Sequence, residues 1–190
     1  MWQYLRRRSK SIKKLLVLDL DETLVHSDPD RHDYRSVKHI NFETYRFKID
    51  NIYFTSQVRP YIFDFLTNVS RYYDIAIFTS SKQCYADTIL DAIDPENKWF
   101  TERYYYHNCT VLGDDGPAIK DLDILNRKLE HVVLVDDNIT VYQEHIPNLI
   151  QIQEWTGHNQ YDMELLDLSL ILETVAFSKD VRKELNKSFY

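Results

Sequence analysis

The sequence predicts an α/β fold: a parallel sheet flanked by helices, with a small antiparallel β-insert after the first strand. Three observations carry this. Leu15-Leu16-Val17-Leu18, Ile75-Ala76-Ile77-Phe78 and Val132-Val133-Leu134-Val135 are short, wholly apolar runs, the pattern of strands buried on both faces. Helical patterns lie between and after them, as in alternating α/β architectures. Residues 28–59, by contrast, are polar, aromatic and roughly alternating.

Taken in order, the first run ends in Asp19. In the insert, Phe42, Tyr45, Phe47, Ile49, Ile52 and Phe54 alternate around Asp50-Asn51, a turn candidate, so a hairpin or small sheet is expected there and not a crossover helix. Arg59-Pro60 opens a helix whose Ile62, Phe63, Phe65, Leu66 and Val69 recur at helical spacing. The second run ends at Thr79-Ser80-Ser81, hydroxyls suited to the N-cap of a helix from about Lys82 to Ala92. A strand near Arg103–Thr110, the turn Gly113-Asp114-Asp115-Gly116-Pro117 and a short helix around Leu122–Leu129 lead to the third run. That run ends in Asp136-Asp137-Asn138. Leu149–Ile152 reads as a weaker fourth strand. A helix over Asp162–Ala176, burying Leu165, Leu166, Leu168 and Ile171 or Leu172, closes the fold.

The chain has 190 residues, 44% hydrophobic and 28% charged, enough to bury a core without disulfides or a structural metal. A basic lead-in over residues 1–14 and a single domain over 15–190 are expected. Only Gly113, Gly116 and Gly157 occur, which excludes both a Walker loop and a dinucleotide fingerprint. Cys84 and Cys109 are too far apart for zinc spacing and read as buried, reduced thiols. No apolar run reaches the length of a membrane span, so a soluble nuclear or cytoplasmic protein is expected. The net charge is −7, although the lead-in is basic (Arg6, Arg7, Arg8, Lys10, Lys13, Lys14). The acidic remainder argues against direct nucleic-acid binding, which needs a basic surface.

Ligands of parallel sheets bind beyond the carboxyl ends of the strands. Here the first and third strands end in carboxylates and the second in hydroxyls. Asp19-Leu20-Asp21-Glu22-Thr23 fits D-x-D-x-T at such an end. Asp19 is suited to attack phosphorus and form an aspartyl phosphate, and Asp21 to protonate the leaving alkoxide and then take a proton from water. A phosphate dianion among carboxylates needs cations, and Mg2+ is the one expected.

The motifs also resemble a known family. Leu18-Asp19-Leu20-Asp21-Glu22-Thr23-Leu24-Val25-His26-Ser27, Phe78-Thr79-Ser80-Ser81 with Tyr85-Ala86-Asp87, Ile119-Lys120-Asp121-Leu122, and Val133-Leu134-Val135-Asp136-Asp137-Asn138 occur in the order of the haloacid dehalogenase (HAD) phosphatases of the FCP/SCP group. These are the NLI-interacting factor-like, RNA polymerase II C-terminal-domain phosphatases. Trp155 and Asp180-Val181-Arg182 are similar as well. The resemblance implies a Rossmann-like fold and a Mg2+-dependent phosphatase acting on phosphoserine or phosphothreonine in a protein or peptide segment. By the same resemblance Asp19, the backbone carbonyl of Asp21, and Asn138 would hold the metal, with Asp137 acting through water and Asp136 in support. Lys120 would neutralise the phosphoryl oxygens and Thr79 would hydrogen-bond them. Thr23, Ser80 and Tyr85 are the expected substrate contacts.

His26 is read as structural, since Asp21 already supplies the base. His107, Asn108 and Cys109 form no triad, because neighbours on a strand face opposite ways. Tyr104-Tyr105-Tyr106 reads as strand packing. Three departures set the peptide site apart from the polymerase-tail enzymes: Asp28-Pro29 where an aromatic is common, Lys82 in place of an apolar residue, and Tyr106 where an arginine stands. A small-molecule phosphatase and a catalytically silent binding module of the same fold remain alternatives at this point.

Overall fold

The computed structural model describes residues 13–29, 43–111, 113, 116–141 and 145–188. Phe42, Asp114, Asp115 and the basic residues before Lys13 lie outside them, as does the insert between 30 and 42. A central five-stranded parallel sheet has the order β10-β9-β1-β5-β6. Its strands are β1 (Lys14–Leu18), β5 (Tyr73–Phe78), β6 (Phe100–Tyr104), β9 (Val132–Asp136) and β10 (Leu149–Gln151). β1, β5 and β9 are the three apolar runs, and they lie side by side at the centre. Strand alternation sends Leu16, Leu18, Ile75, Ile77, Val133 and Val135 into one apolar cluster and Leu15, Val17, Ala76, Phe78, Val132 and Leu134 into another. The first cluster takes the buried stripes of α1 (Ile62–Val69), α2 (Gln83–Ile93), α3 (Glu164–Ala176) and α4 (Val181–Ser188). The second is closed by Leu122 and Leu125. Truncating such a leucine costs ~2–5 kcal/mol.

The insert is a three-stranded antiparallel sheet of β2 (Val25–Pro29), β3 (Thr44–Ile49) and β4 (Ile52–Val58), in the order β2-β4-β3. Asp50 and Asn51 turn the β3–β4 hairpin, both with positive φ (48° and 65°), the conformation that a tight two-residue hairpin demands. A short ribbon of β7 (Thr110–Val111) and β8 (Ala118–Ile119) precedes Lys120.

Several expectations are corrected. The chain does not run as a strand from Arg103 to Thr110: it bends into a 3-10 turn at Tyr106–Asn108, where Tyr105 is buried and donates its hydroxyl to Asp87 at 2.6 Å. His107 and Asn108 therefore lie in a turn, and Tyr106 is exposed. The helix expected over Leu122–Leu129 is broken by Asn126, whose φ of 51° is left-handed, into 3-10 turns at Leu122–Leu125 and Leu129–His131. The last long helix begins at Glu164, because Asp162 is engaged elsewhere, and it buries Leu165, Leu168, Leu172 and Val175, leaving Leu166 half-buried. It does not close the fold: α4 follows and buries Val181 and Leu185. Cys84 is exposed and Cys109 half-buried, both free thiols.

Candidate active site

In a doubly wound sheet the crevice opens where the strand order reverses, and here that lies between β1 and β9. Leu18 pairs with Val135, so the next residues, Asp19 and Asp136, emerge beside each other, and the Asp19 amide donates to the Val135 carbonyl at 3.0 Å. Lys120 lies between the two acids. Its Nζ donates to Asp19 Oδ1 at 2.5 Å and to Asp136 Oδ2 at 2.6 Å, and it is only 2% exposed. The Asp136 carboxylate also accepts from the Asn138 amide at 2.8 Å.

The electrostatics follow from burial. Burial pushes the Asp19 carboxyl well above the usual carboxylate range, while Lys120 pulls it back. Burial works against the Lys120 charge, yet Asp19 and Asp136 together hold the ammonium above its ordinary value. Asp137 is raised, first by burial and then by Asp136. Carboxyl oxygens of Asp19, Asp136 and Asp137 come within 4.8 Å of one another. Three carboxylates against one ammonium leave an all-oxygen donor set short of positive charge, which fits a hard divalent cation such as Mg2+.

Asp21 sits in a different environment. Ser81 Oγ donates to its Oδ2 at 2.7 Å, Thr79 Oγ1 reaches the same oxygen at 3.4 Å, and Tyr85 Oη donates to Oδ1 at 2.5 Å. The expectation that the Thr79–Ser81 hydroxyls cap α2 is therefore corrected. The N-cap is Lys82, with no side-chain cap bond, and the hydroxyls turn to Asp21, Thr79 also accepting from the Ser81 amide at 3.0 Å.

The remaining expected residues are placed as follows. Thr23 is fully buried and donates to Asp137 Oδ1 at 3.0 Å, which supports the acid and takes the hydroxyl out of the open pocket. Ser80 is exposed and its neighbour Ser81 makes the contact with Asp21. Asn138 is exposed, and its side-chain oxygen accepts from the amide and hydroxyl of Thr140 at 3.0 and 2.6 Å, while its own backbone amide donates to Asp136. His26 pairs with Glu22 at 2.8 Å and Asp28 at 3.3 Å, a structural arrangement.

Sequence reasoning missed one residue altogether. Arg59, 1% exposed, donates Nε and Nη2 to the Asp162 carboxylate at 2.8 and 3.0 Å, Nη1 to the Thr23 carbonyl at 3.1 Å and Nη2 to the Gln153 carbonyl at 2.9 Å. It ties the loop carrying both catalytic candidates to the loop after β10. Its place before Pro60 was the one available signal, and nothing local connects it to Asp162. Trp155 reinforces the same joint, its amide donating to the Glu22 carbonyl at 2.8 Å. Glu22 itself has a left-handed φ of 61°. A polar cleft of about 370 Å³ opens beside Asp137, lined by Gln151, Ile152, Gln153 and Glu154. A second group, Asp121, Asp123 and His145, ties the Lys120 loop to the segment before β10, with His145 Nε2 3.0 Å from Asp121.

Residues 14–182 match the family model described as NLI interacting factor-like phosphatase. The chain is 33% identical to CTD nuclear envelope phosphatase 1B of Danio rerio, over 97% of this chain and 76% of that protein. It is 34% identical to nuclear envelope morphology protein 1 of Schizosaccharomyces pombe, over 92% of this chain but only 36% of the relative. Among solved structures, fission yeast RNA polymerase II CTD phosphatase Fcp1 bound to beryllium fluoride superposes with a TM-score of 0.60 at 20% identity, covering 92% of this chain and 54% of that one. That likeness shows a shared fold.

Proposed function

The chain belongs to the NLI interacting factor-like phosphatase family, and from that premise we propose that it is a Mg2+-dependent phosphoprotein phosphatase, hydrolysing phosphoserine or phosphothreonine through an aspartyl phosphate on Asp19. One observation carries the reading. Two carboxylates two residues apart are held in opposite environments, Asp19 by an ammonium and Asp21, among the described residues, by hydroxyl donors. Such a separation is how a site assigns different tasks to two acids.

Lys120 takes Asp19 Oδ1, which leaves Oδ2 to attack phosphorus as the bond from phosphorus to the serine oxygen breaks. Asp21 passes a proton to the departing oxygen. It then takes a proton from the water that attacks the aspartyl phosphate, releasing inorganic phosphate and restoring Asp19. Lys120 stays charged between its two carboxylates and faces the oxygens on which charge builds. Thr79, at the end of β5, offers its hydroxyl to the same group. Asp19, the backbone carbonyl of Asp21, Asp137 and Asn138 would hold Mg2+, with Asp136 in support, and the ion would supply charge neutralisation at the phosphoryl oxygens.

A phosphorylated protein segment is the substrate class the insert favours over a small metabolite. Its described part is a three-stranded antiparallel sheet, in keeping with a β-insert rather than a helical cap. The relatives' names place them at the nuclear envelope, and a nuclear or cytoplasmic location is part of the same proposal. No helix among the described residues is long and apolar enough to cross a membrane.

The test is hydrolysis of para-nitrophenyl phosphate and of a phosphoserine peptide, with Mg2+ or with EDTA, beside Asp19→Asn. Metal-dependent turnover of both, lost in the variant, is expected. A folded wild-type protein with no turnover, or an Asp19→Asn variant as active as wild type, would overturn the reading.

A further inference from the structure

We propose that Tyr85 is a positioning residue for Asp21, and that the β-insert acts on the chemistry by bracing the Tyr85 ring. The inference rests on the role given to Asp21 above and adds a route from the insert to it.

A carboxylate turns readily about its terminal torsion, which has no sharp minima. An acid that must meet a leaving oxygen in one direction therefore needs its plane held. Asp21 is held at both oxygens, but the two holds differ. Oδ2 is shared by Ser81 and Thr79, whose small hydroxyls can turn about their C–O bonds. Oδ1 has Tyr85, a donor at the end of a rigid ring. When substrate arrives, the two small hydroxyls can exchange to it and free Oδ2, while Tyr85 keeps Oδ1 and so keeps Oδ2 aimed at the leaving oxygen.

The ring is itself fixed from outside the central sheet. Phe47 of β3 and Phe54 of β4 are cross-strand partners and stack at 5.7 Å with planes 13° apart. Each presents to Tyr85 in an edge arrangement at 5.9 Å, a favoured geometry for aromatic pairs. Those faces are used in packing one another. A side chain on α2 is thus clamped by the insert at its ring and by Asp21 at its hydroxyl.

A positioning role for the acid has a signature that neither a folding defect nor a substrate contact shares. Proton donation matters most when the leaving group is a strong base, so losing it steepens the dependence of kcat/KM, which reads the steps up to formation of the aspartyl phosphate, on leaving-group basicity. The slope is unaffected by any inactive fraction of the protein. The experiment takes the full chain with Mg2+, a series of aryl phosphates from nitrophenyl to unsubstituted phenyl, and a phosphoserine peptide, comparing wild type with Tyr85→Phe and Phe54→Leu. Expected are a fall in kcat/KM on the peptide of roughly tenfold for Tyr85→Phe, a markedly smaller fall on para-nitrophenyl phosphate, and a steeper slope. Phe54→Leu, which leaves the hydroxyl in place, should steepen the slope in the same direction by less. Equal losses of kcat/KM on every substrate, or a loss on the peptide with an unchanged slope across the aryl phosphates, would overturn the positioning role while leaving the phosphatase reading intact. A wild type with no Mg2+-dependent turnover would overturn both.

Discussion

Replacing Arg59 by Met should cost the fold more than any surface change, and the cost can be worked from its contacts. The guanidinium is 1% exposed and Asp162 is 7% exposed, so neither partner can turn to water for compensation. Four N–H donations disappear together, two of them to Asp162 and one each to the carbonyls of Thr23 and Gln153. Methionine fills much of the stem's volume, so the loss is largely electrostatic. Removing one partner of a buried ion pair costs ~3–5 kcal/mol, because the other charge remains buried and unpaired. For a chain of this size each kcal/mol moves Tm by ~2–4 °C, giving a fall of about 10 °C. Thermal melts followed by circular dichroism read this directly. Asp162→Asn completes a double-mutant cycle in which the pair should be less destabilised than the sum of the singles, by ~1–3 kcal/mol. A single-variant cost below ~1 kcal/mol, or a double variant equal to the sum, would refute the argument that this pair fastens the two loops.

Three further outcomes are expected. Gly157→Ala places a Cβ against Gln57 Oε1 and 2.9 Å from His26, at a φ of +76°, so it should destabilise by ~1–3 kcal/mol, and adding Gln57→Ala should restore only part of the lost Tm. Burial would raise the Asp87 carboxyl, but the hydrogen bonds from Tyr105 and Arg103 outweigh it and hold the group below its usual range. The stabilisation it gives is therefore complete above the unfolded carboxylate value and lost as pH falls through the lower folded one. Carboxyl NMR should show a depressed midpoint that rises in Tyr105→Phe. Lys120→Met removes the cation between Asp19 and Asp136 and should lower kcat on para-nitrophenyl phosphate by at least ~10²-fold. A loss below tenfold would remove Lys120 from the mechanism.

Strand positions and the acidic ends of β1 and β9 were legible because a buried parallel strand must be apolar throughout, so a carboxylate at its end marks where the strand meets the crevice. Side-chain direction was less so. Thr79, Ser80 and Ser81 look alike as helix caps, and only the folded arrangement decides that Ser81 meets Asp21 while Ser80 faces water. The end of the fourth motif hides a similar choice: Asp136 joins the carboxylate group and Asn138 bonds Thr140, two residues on. Asn126 is of a residue type that tolerates a left-handed φ, but a lone Asn in a helical pattern did not by itself mark where the helix would split. Arg59 and Asp162, 103 residues apart, were beyond any local rule. The aromatic alternation of the insert predicted its strands but not that Phe47 and Phe54 would seat the tyrosine beside the acid.

The central three strands have a consequence for how this molecule is made. Asp19 and Lys120 meet although 101 residues separate them. A ribosome adding about 5–20 residues per second needs roughly 5–20 s to pass from one to the other. Throughout that interval the growing chain carries the acids of the first strand without the ammonium that offsets them, and without β9 on their open side. Burying Asp19 against β5 alone would leave a carboxylate out of water with no countercharge, so the half-made sheet is discouraged from closing early. The docking of β9 and Lys120 beside β1 would bring the third central strand and the ammonium to the acids in one event, with β10 still to add at the edge beyond β9.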